Sequence, residues 1–292
     1  MRKPRLRETD RAGYLMVLPY AISFLLFVAY PLIFSLILVF NKWNIVSPMK
    51  FIGLGNFQRL IHDVLFWKSL GNTGIFLVIH IPLQIVVALV LAEVLNQKII
   101  ARGFFRGAFF LPVVISGVVV TILWQQLYQG ETGVFNTILT KIGLHKVPWL
   151  TSTKLAMPSI AIMATWKNVG LYVVLLLAGL QGIPKSLYEV ADIDGATPFQ
   201  KFIHVTLPMI NPTLIMVLIL STIGGFSLFI EPYIMTGGGP MSSTLSAVLY
   251  IYKQAFYFSH MGYAATMGFA VALVIFVVVL IQKKAVEIDI YK

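Results

Sequence analysis

The sequence predicts an all-α integral membrane protein with six transmembrane helices. Of its 292 residues, 58% are hydrophobic and only 11% are charged, whereas soluble domains carry about 25% charged residues. The mean hydropathy is +0.87. Six apolar stretches are each long enough for a membrane-crossing helix, which needs about 20 apolar residues. A water-soluble enzyme is therefore not expected, because the chain lacks the polar residues to cover its surface.

Charged residues divide the chain into these stretches. Prolines inside them are compatible with a span, because neighbouring groups can satisfy the freed carbonyls. The apolar part of the first stretch is about twice the length of a signal-peptide core, so we interpret it as a retained anchor. The predicted spans cover about 14–40, 69–92, 107–130, 155–180, 208–230 and 264–282.

The distribution of Lys and Arg predicts the topology. Six spans place both termini on one side, and that side carries the larger share of basic residues, five of them within the first eleven positions. The positive-inside rule therefore predicts cytoplasmic termini. Residues 1–13 form a basic leader, and residues 14–292 form one multi-pass domain in the plasma membrane. This topology explains the net charge of +11, so membrane lipid, and no nucleic acid, is the expected partner.

The cytoplasmic segment 181–207 is too long for a simple hairpin. Ser186 and Glu189 have the spacing of a capping box, which predicts a helix that starts at Ser186. Gly195 suits the left-handed position that ends a helix. Thr197 and Gln200 form a second capping box, with Pro198 in the first turn between them. We therefore expect two short helices joined by a glycine turn, closed by the Leu-Pro pair at 207–208.

Apolar side chains in this cytoplasmic segment have two interpretations. Helices of about two turns are marginal unless something packs on them. Leu187, Val190, Ala191 and Phe199 could form a docking surface for a soluble partner, or they could pack against the cytoplasmic ends of the spans. The pattern alone leaves both possibilities open.

The same segment resembles the EAA motif of ABC importer permeases, E-A-A-x3-G-x9-I-x-L-P. The matching residues are Glu189, Val190, Ala191, Gly195, Val205, Leu207 and Pro208. Val replaces the second Ala and the Ile of the pattern, and both replacements keep apolar character. The flanking segments 178–184 and 192–196, and the outer Thr236-Gly-Gly-Gly-Pro240, are similar to the carbohydrate-importer branch. The likeness is to the maltose and glycerol-phosphate permease subunits that carry a TGGP motif.

This resemblance implies a type I ABC importer permease fold and a role as half of a pathway for a sugar or sugar-like solute. It implies a second, non-identical permease subunit, two ATPase subunits and an extracytoplasmic solute-binding protein. Segment 181–207 would be the coupling loop that docks on the ATPase, where Glu189 could cap its own helix or meet a basic group of the partner. The implied coupling residues are Ser186, Glu189, Val190, Ala191, Asp192, Asp194, Gly195, Val205, Leu207 and Pro208.

Catalytic chemistry is not expected in this chain. The sequence contains no G-x-x-x-x-G-K-[ST] phosphate loop, so ATP hydrolysis would belong to a separate subunit. There is no Cys, and the five His residues do not have the spacing of metal ligands. No catalytic residue, metal or cofactor is therefore predicted.

Polar groups inside the spans indicate a possible substrate path. Lys167 is the only charge well inside a span, with Trp166, Asn168 and Tyr172 nearby. Aromatic faces suit sugar rings, and amide and ammonium groups can bond hydroxyls. Alternatively, Lys167 could snorkel or pair with a carboxylate. Glu231 is a candidate, although its expected depth, nearer the outer face, matches poorly.

Small and polar residues of two other spans are less specific. Gly225 and Ser227 in span five could line the path, or they could serve close helix packing. Asn72, His80 and Gln84 in span two have helical spacing, so they share a face that we expect to turn away from lipid into a helix contact.

The outer glycine-rich segment comprises Gly237, Gly238, Gly239 and Pro240. It could contact the binding protein or shape an outer vestibule, or it could be a flexible surface turn.

Two alternative functions are weighed against a sugar importer. One is an ABC permease for a non-carbohydrate solute. The other is an ion-coupled carrier, which usually needs intramembrane carboxylates, and the sequence places none deep in a span.

Overall fold

The computed structural model describes residues 8–97 and 100–286. Most of the predicted basic leader, residues 1–7, lies outside this part of the chain. Besides its helices and the segments that connect them, the described chain contains one antiparallel pair of two-residue strands, β1 (Asn41–Lys42) and β2 (Lys50–Phe51). π-helical turns occur at Leu25–Ala29, Phe202–Thr206 and Lys253–Tyr257.

We number the α-helices in chain order. They are α1 (Glu8–Phe24), α2 (Tyr30–Val39), α3 (Gly55–His62), α4 (Val64–Asn96), α5 (Arg102–Val114), α6 (Gly117–Leu127), α7 (Val134–Lys141), α8 (Ala156–Gln181), α9 (Lys185–Ile193), α10 (Pro198–Lys201), α11 (Leu207–Met209), α12 (Asn211–Phe226), α13 (Ile230–Met235), α14 (Ala247–Tyr252) and α15 (Met261–Val286).

Within the described residues, five helical stretches are long and apolar enough to cross a membrane: Gly13–Val39, Val64–Asn96, Ala156–Gln181, Asn211–Met235 and Met261–Val286. A sixth span results if the bent pair α5 and α6 is counted as one.

The predicted continuous span over 107–130 is wrong in one respect, because α5 and α6 meet at an angle of 95°. Pro112 lies near the end of α5 and removes a helix hydrogen bond. Ile115 and Ser116 then have extended ψ angles of 143° and 126°. Ser is a favoured residue before a helix, and the helix restarts at Gly117. The apolar pattern indicated the span, but it could not reveal this break.

The described residues divide into two compact units, residues 8–63 with 251–269, and residues 64–97 and 100–250 with 270–286. In the second unit, α8 packs against α4, α5 and α12. One hydrophobic cluster of this unit joins α4 and α8 to the segment that follows α8. Its fully buried members include Ala88, Ala92, Leu176 and Ile210. The candidate site described next belongs to this unit.

Candidate functional site

A polar cavity of about 260 Å³ lies among α4, α8, α12 and α13. Such a cavity inside an apolar helix assembly is unusual, because polar groups there must find partners. Its polar lining side chains are His80, Gln84, Lys167, Asn168, Tyr172, Ser221, Ser227 and Glu231.

Lys167 and Glu231 face each other in this cavity, with Nζ 3.5 Å from Oε1. Their side chains are 14% and 10% exposed. The expectation that their depths match poorly is wrong. α12 ends at Phe226 and Glu231 lies in the first turn of α13, which packs against α6 and α8, so its carboxylate reaches Lys167 of α8. The cavity therefore holds one ion pair without net charge.

The ammonium of Lys167 also lies against the break between α5 and α6. A Cβ added to Gly117, the first residue of α6, would be 2.7 Å from Nζ of Lys167. Glycine at this position thus leaves room for the lysine head group.

Asn72, His80 and Gln84 of α4 are buried, as expected for a face turned away from lipid. Asn72 donates to the carbonyls of Ser242 and Leu245 at 2.7 and 3.0 Å. His80 Nδ1 lies 2.8 Å from Thr165 Oγ1. Asn72 thus makes a contact between segments of the chain, whereas His80 also lines the cavity.

Gln84 is a cavity residue with spare hydrogen-bonding capacity. Its Nε2 donates to Ser221 Oγ at 2.9 Å. Its buried Oε1 has no hydrogen-bond partner among the described residues. An acceptor left open at a polar cavity is available to a ligand hydroxyl. The helical spacing of polar residues in span two was the signal for this group, although it did not distinguish packing from lining.

The structure brings most of the residues proposed for the substrate path to the cavity. Lys167, Asn168, Tyr172, Gly225 and Ser227 line it, and Trp166 does not. The Trp166 side chain is 46% exposed, and its ring centroid lies 5.4 Å from that of Trp124. The tryptophan points elsewhere because adjacent residues of a helix face different directions.

Gly225 serves packing as well as lining. A Cβ there would meet Leu77 Cδ2 at 2.4 Å, whereas Gly224 beside it has open space. Gly225 therefore packs closely on Leu77 of α4 and also lines the cavity.

Segment 181–207 forms two helical pieces joined at a glycine. Gly195 has φ of +72°. Its N–H donates to Asp192 O at 3.1 Å, and the Ala196 N–H donates to Ala191 O at 2.9 Å. These two bonds are the Schellman arrangement that ends a helix at a left-handed glycine. The predicted turn at Gly195 is confirmed as a conformation.

The second capping box is present and the first is absent. Thr197 accepts from the Gln200 N–H, and the Gln200 side chain accepts from the Thr197 N–H. The predicted start of a helix at Ser186 is wrong, because α9 begins at Lys185 and Pro184 precedes it with φ −60° and ψ 130°. Proline fixes φ at this value, so the helix begins one residue early and Ser186 lies inside its first turn.

The structure settles which face of α9 and α10 packs on the spans. Tyr188, Val205 and Leu207 pack against the cluster that contains Ala88 and Leu176. Tyr188 Oη and Thr206 Oγ1 also form a 2.9 Å hydrogen bond. These residues anchor the segment, and the sequence did not identify Tyr188 or Thr206 because neither belongs to the motif.

The opposite face of the segment is apolar and open. Val190 is 56%, Ile193 86% and Phe199 70% exposed. Val190 and Phe199 therefore do not pack against the ends of the spans, which was one of the two interpretations of these apolar residues. Glu189 is also exposed and caps no helix.

An open cleft of about 620 Å³ lies along this face. Among the residues implied for coupling, Ser186, Glu189, Asp192 and Leu207 do not line it. Asp192 instead forms an ion pair with Lys201, which links α9 to α10. The implied residues that line the cleft are Val190, Ala191, Asp194, Gly195, Val205 and Pro208.

The glycine-rich segment at 236–240 is held by many hydrogen bonds. Gly237 and Gly238 have φ of +62° and +93°, and the Gly239-Pro240 bond is cis. Thr244 Oγ1 donates to Gly239 O at 2.6 Å and lies 2.7 Å from Thr236 Oγ1. These hydrogen bonds link Thr236 and Gly239 to Thr244.

Comparison with known proteins identifies the family. The model described as "Binding-protein-dependent transport system inner membrane component" matches residues 84–285. The chain belongs to this family. It is a permease component of the membrane and not an ATPase.

Relatives match over nearly the whole chain. The probable ABC transporter permease protein YurN of Bacillus subtilis (strain 168) is 38% identical, over 93% of this chain and 94% of its own length. The lactose transport system permease protein LacF of Rhizobium radiobacter is 39% identical, over 94% of each chain.

A solved structure shares the fold. A bacterial alginate ABC transporter, in complex with alginate pentasaccharide-bound periplasmic protein, matches with a TM-score of 0.80. The sequence identity is 28%, over 95% of this chain and 94% of that one. The resemblance to ABC importer permeases is thus confirmed over nearly the full length.

Proposed function

We propose that the chain forms half of the membrane pathway of an ABC importer for a sugar or sugar-like solute. The observation that carries this proposal is the cavity around Lys167 and Glu231. Its ion pair has no net charge, and Asn168, Gln84 and Tyr172 add amide and phenol groups. Sugars present hydroxyls, which such groups bind. The names of the lactose and alginate relatives support the same substrate class.

The complete transporter would contain a second permease subunit, two ATPase subunits and a solute-binding protein outside the cytoplasm. The exposed face of α9 and α10 supports an ATPase as the docking partner, because an apolar surface on a polar segment favours a protein contact. The segment at 236–240 would present an ordered surface to the solute-binding protein or the outer vestibule.

A permease for a non-carbohydrate solute is the main alternative, and the solute panel below tests it. The ion-coupled carrier is less well supported. Glu231 does supply a buried carboxylate, which the sequence did not reveal, but Lys167 neutralises it.

The first test is a mild-detergent pull-down of the chain from its native membrane, with mass spectrometry of the recovered subunits. We expect an ATPase and a second permease. The recovered complex is then reconstituted with its binding protein, and transport of a panel of sugars, amino acids and phosphate is measured. Recovery of this chain alone would refute the importer assembly, and transport restricted to an amino acid or phosphate would refute the sugar assignment.

The coupling segment has its own test. Glu189→Lys reverses an exposed charge, and Gly195→Pro is incompatible with φ of +72°. Both variants should abolish uptake while the chain still inserts. Glu131→Lys, which changes an exposed carboxylate elsewhere, is the control and should retain uptake. Wild-type uptake by either coupling variant at equal membrane abundance would exclude a coupling role for this segment.

A further inference from the structure

A cavity of the first unit shares no lining residue with the cavity around Lys167 and Glu231. Its volume is about 770 Å³. It is formed by the β1–β2 hairpin, the start of α3, and the residues that lead into α15. Its basic lining residues are Lys42, Lys50, Arg59 and His260.

The hairpin places two lysines directly opposite each other. Lys42 pairs with Lys50 in the antiparallel register. Like charges at directly opposed positions destabilise a strand pair. No Asp or Glu is among the described residues that line the cavity, and neither lysine forms an ion pair within the described chain. No ion pair among the described residues therefore offsets the repulsion between the two ammonium groups.

Arg59 adds a third cation to the same cavity and is held in place by neutral groups. Its guanidinium carbon lies 4.0 Å from the centre of the Tyr263 ring. Its Nη2 lies 3.4 Å from Gln254 Oε1 and 3.3 Å from His260 Nδ1. Burial, with Arg59 and Lys42 nearby, lowers the pKa of His260. The cavity thus concentrates positive charge and has a positioned guanidinium, which is suited to phosphate.

The cavity lies where two apolar helices end. The span Gly13–Val39 ends two residues before β1, and α15 begins at Met261. The Met261 N–H donates to Trp43 O at 3.0 Å, which ties the start of α15 to the hairpin. The position at the ends of two spans corresponds to the headgroup region of a bilayer.

Exposed apolar side chains lie at the cavity and beside it in the sequence. Phe258, which lines the cavity, is 57% exposed. Val46 and Phe51 adjoin lining residues in the chain and are 93% and 74% exposed. An aqueous anion would not need apolar neighbours, whereas the glycerol and acyl region of a lipid would contact them. Basic residues combined with apolar contacts at the ends of spans are the features expected of a lipid headgroup site.

We propose that the cavity lined by Lys42, Lys50 and Arg59 binds the phosphate headgroup of an anionic glycerophospholipid from the surrounding membrane. The phosphate lies between the opposed lysines and accepts from the guanidinium of Arg59. The bound lipid thereby supplies the counter-charge that the hairpin lacks.

The test measures lipid retention by the detergent-extracted transporter. Native mass spectrometry compares phosphatidylglycerol with phosphatidylcholine of the same acyl chains, added to wild type and to Lys42→Gln/Lys50→Gln. Each basic residue near a bilayer contributes about a fivefold gain in binding of anionic lipid, so the double variant should bind phosphatidylglycerol about 25-fold more weakly. Lys141→Gln/Lys154→Gln, with exposed lysines outside the cavity, is the matched control and should bind as wild type.

A stability measurement separates lipid binding from a structural role of the lysines. In phosphatidylcholine the double variant should unfold at a higher temperature than wild type, because the like-charge pair is removed. In phosphatidylglycerol the order should reverse. Equal retention of the two lipids by wild type, or no reversal, would overturn the proposal.

Two other anions are distinguished by added arms. If millimolar inorganic phosphate stabilises the wild type as much as phosphatidylglycerol does, the site belongs to free phosphate and the lipid proposal is wrong. If the double variant loses affinity for the solute-binding protein while it retains phosphatidylglycerol, the cavity is an acidic-protein contact and the lipid proposal is again wrong.

Discussion

Removing one member of the Lys167–Glu231 pair should destabilise the protein more than removing both. At 3.5 Å two unit charges attract by about 5 kcal/mol at an effective dielectric constant of 20. The side chains of Lys167 and Glu231 are 14% and 10% exposed, so each is at least 86% buried. Loss of one partner leaves a buried charge, which costs about 3 kcal/mol. The double change Lys167→Met/Glu231→Gln should cost less than about 1 kcal/mol, because no unpaired charge remains.

The assay is a double-mutant cycle on thermal unfolding of the full chain, followed by fluorescence-detected size exclusion after heating. A loss of about 3 kcal/mol corresponds to a decrease of roughly 6 °C for a chain of this size. The exposed pair Lys146–Glu131, at 45% and 84% exposure, is the control, and Glu131→Gln should cost under about 1 kcal/mol. The reasoning fails if Glu231→Gln costs no more than Glu131→Gln, or if the two single effects simply add.

Three further predictions concern local structure. Thr197→Ala should lower the free energy of unfolding by about 1 kcal/mol and speed amide exchange in α10, because Thr197 caps this helix. Ser186→Ala should do neither, because Ser186 caps no helix. Gly170→Ala should lower the unfolding temperature by the equivalent of about 1–3 kcal/mol, because its Cβ would lie 2.0 Å from a backbone carbonyl oxygen of α5. Gly71 has open space around it, so the control Gly71→Ala should not destabilise the protein. The pKa of His260 is lowered in the folded state. The unfolded state therefore binds more protons than the folded state as the pH falls below about 6.5. Thermal stability should decrease from pH 7.5 to 5.5, and it should decrease less steeply in His260→Gln.

Local sequence signals predicted local conformation well where they acted alone. Thr197, Pro198 and Gln200 have no competing neighbour, and the capping box forms. Ser186 has the same spacing to Glu189, but Pro184 precedes it and sets the helix start one residue earlier. The spacing of a capping box concerns only its side chains, whereas a proline restricts the backbone.

Tertiary placement was harder to predict. The pairing of Glu231 with Lys167 depends on the packing of α13 against α8, and the break between α5 and α6 depends on Ile115 and Ser116. Hydropathy averages over windows of about 19 residues, so it does not detect a packing contact or a change of direction within a few residues. For this reason the sequence could name Glu231 as a candidate partner of Lys167 without predicting that the two side chains meet.

Two helices connect the cavity to segment 181–207. α8 carries Lys167 and Tyr172 at the cavity, and Leu176 in the cluster about one turn further on. α4 likewise carries Gln84 at the cavity and Ala88 in the cluster, four residues later. Tyr188 and Leu207 of segment 181–207 pack on that cluster.

Close-packed interiors transmit displacement because their contacts cannot compress. Under the proposed function, an ATPase that moves the exposed face of α9 and α10 therefore also moves the cytoplasmic halves of α4 and α8. The cavity residues lie on the same helices, so the displacement alters the separation of Gln84 and Lys167 from Glu231 on α13. A transporter built in this way can change access to its substrate site without a contact between the ATPase and the solute.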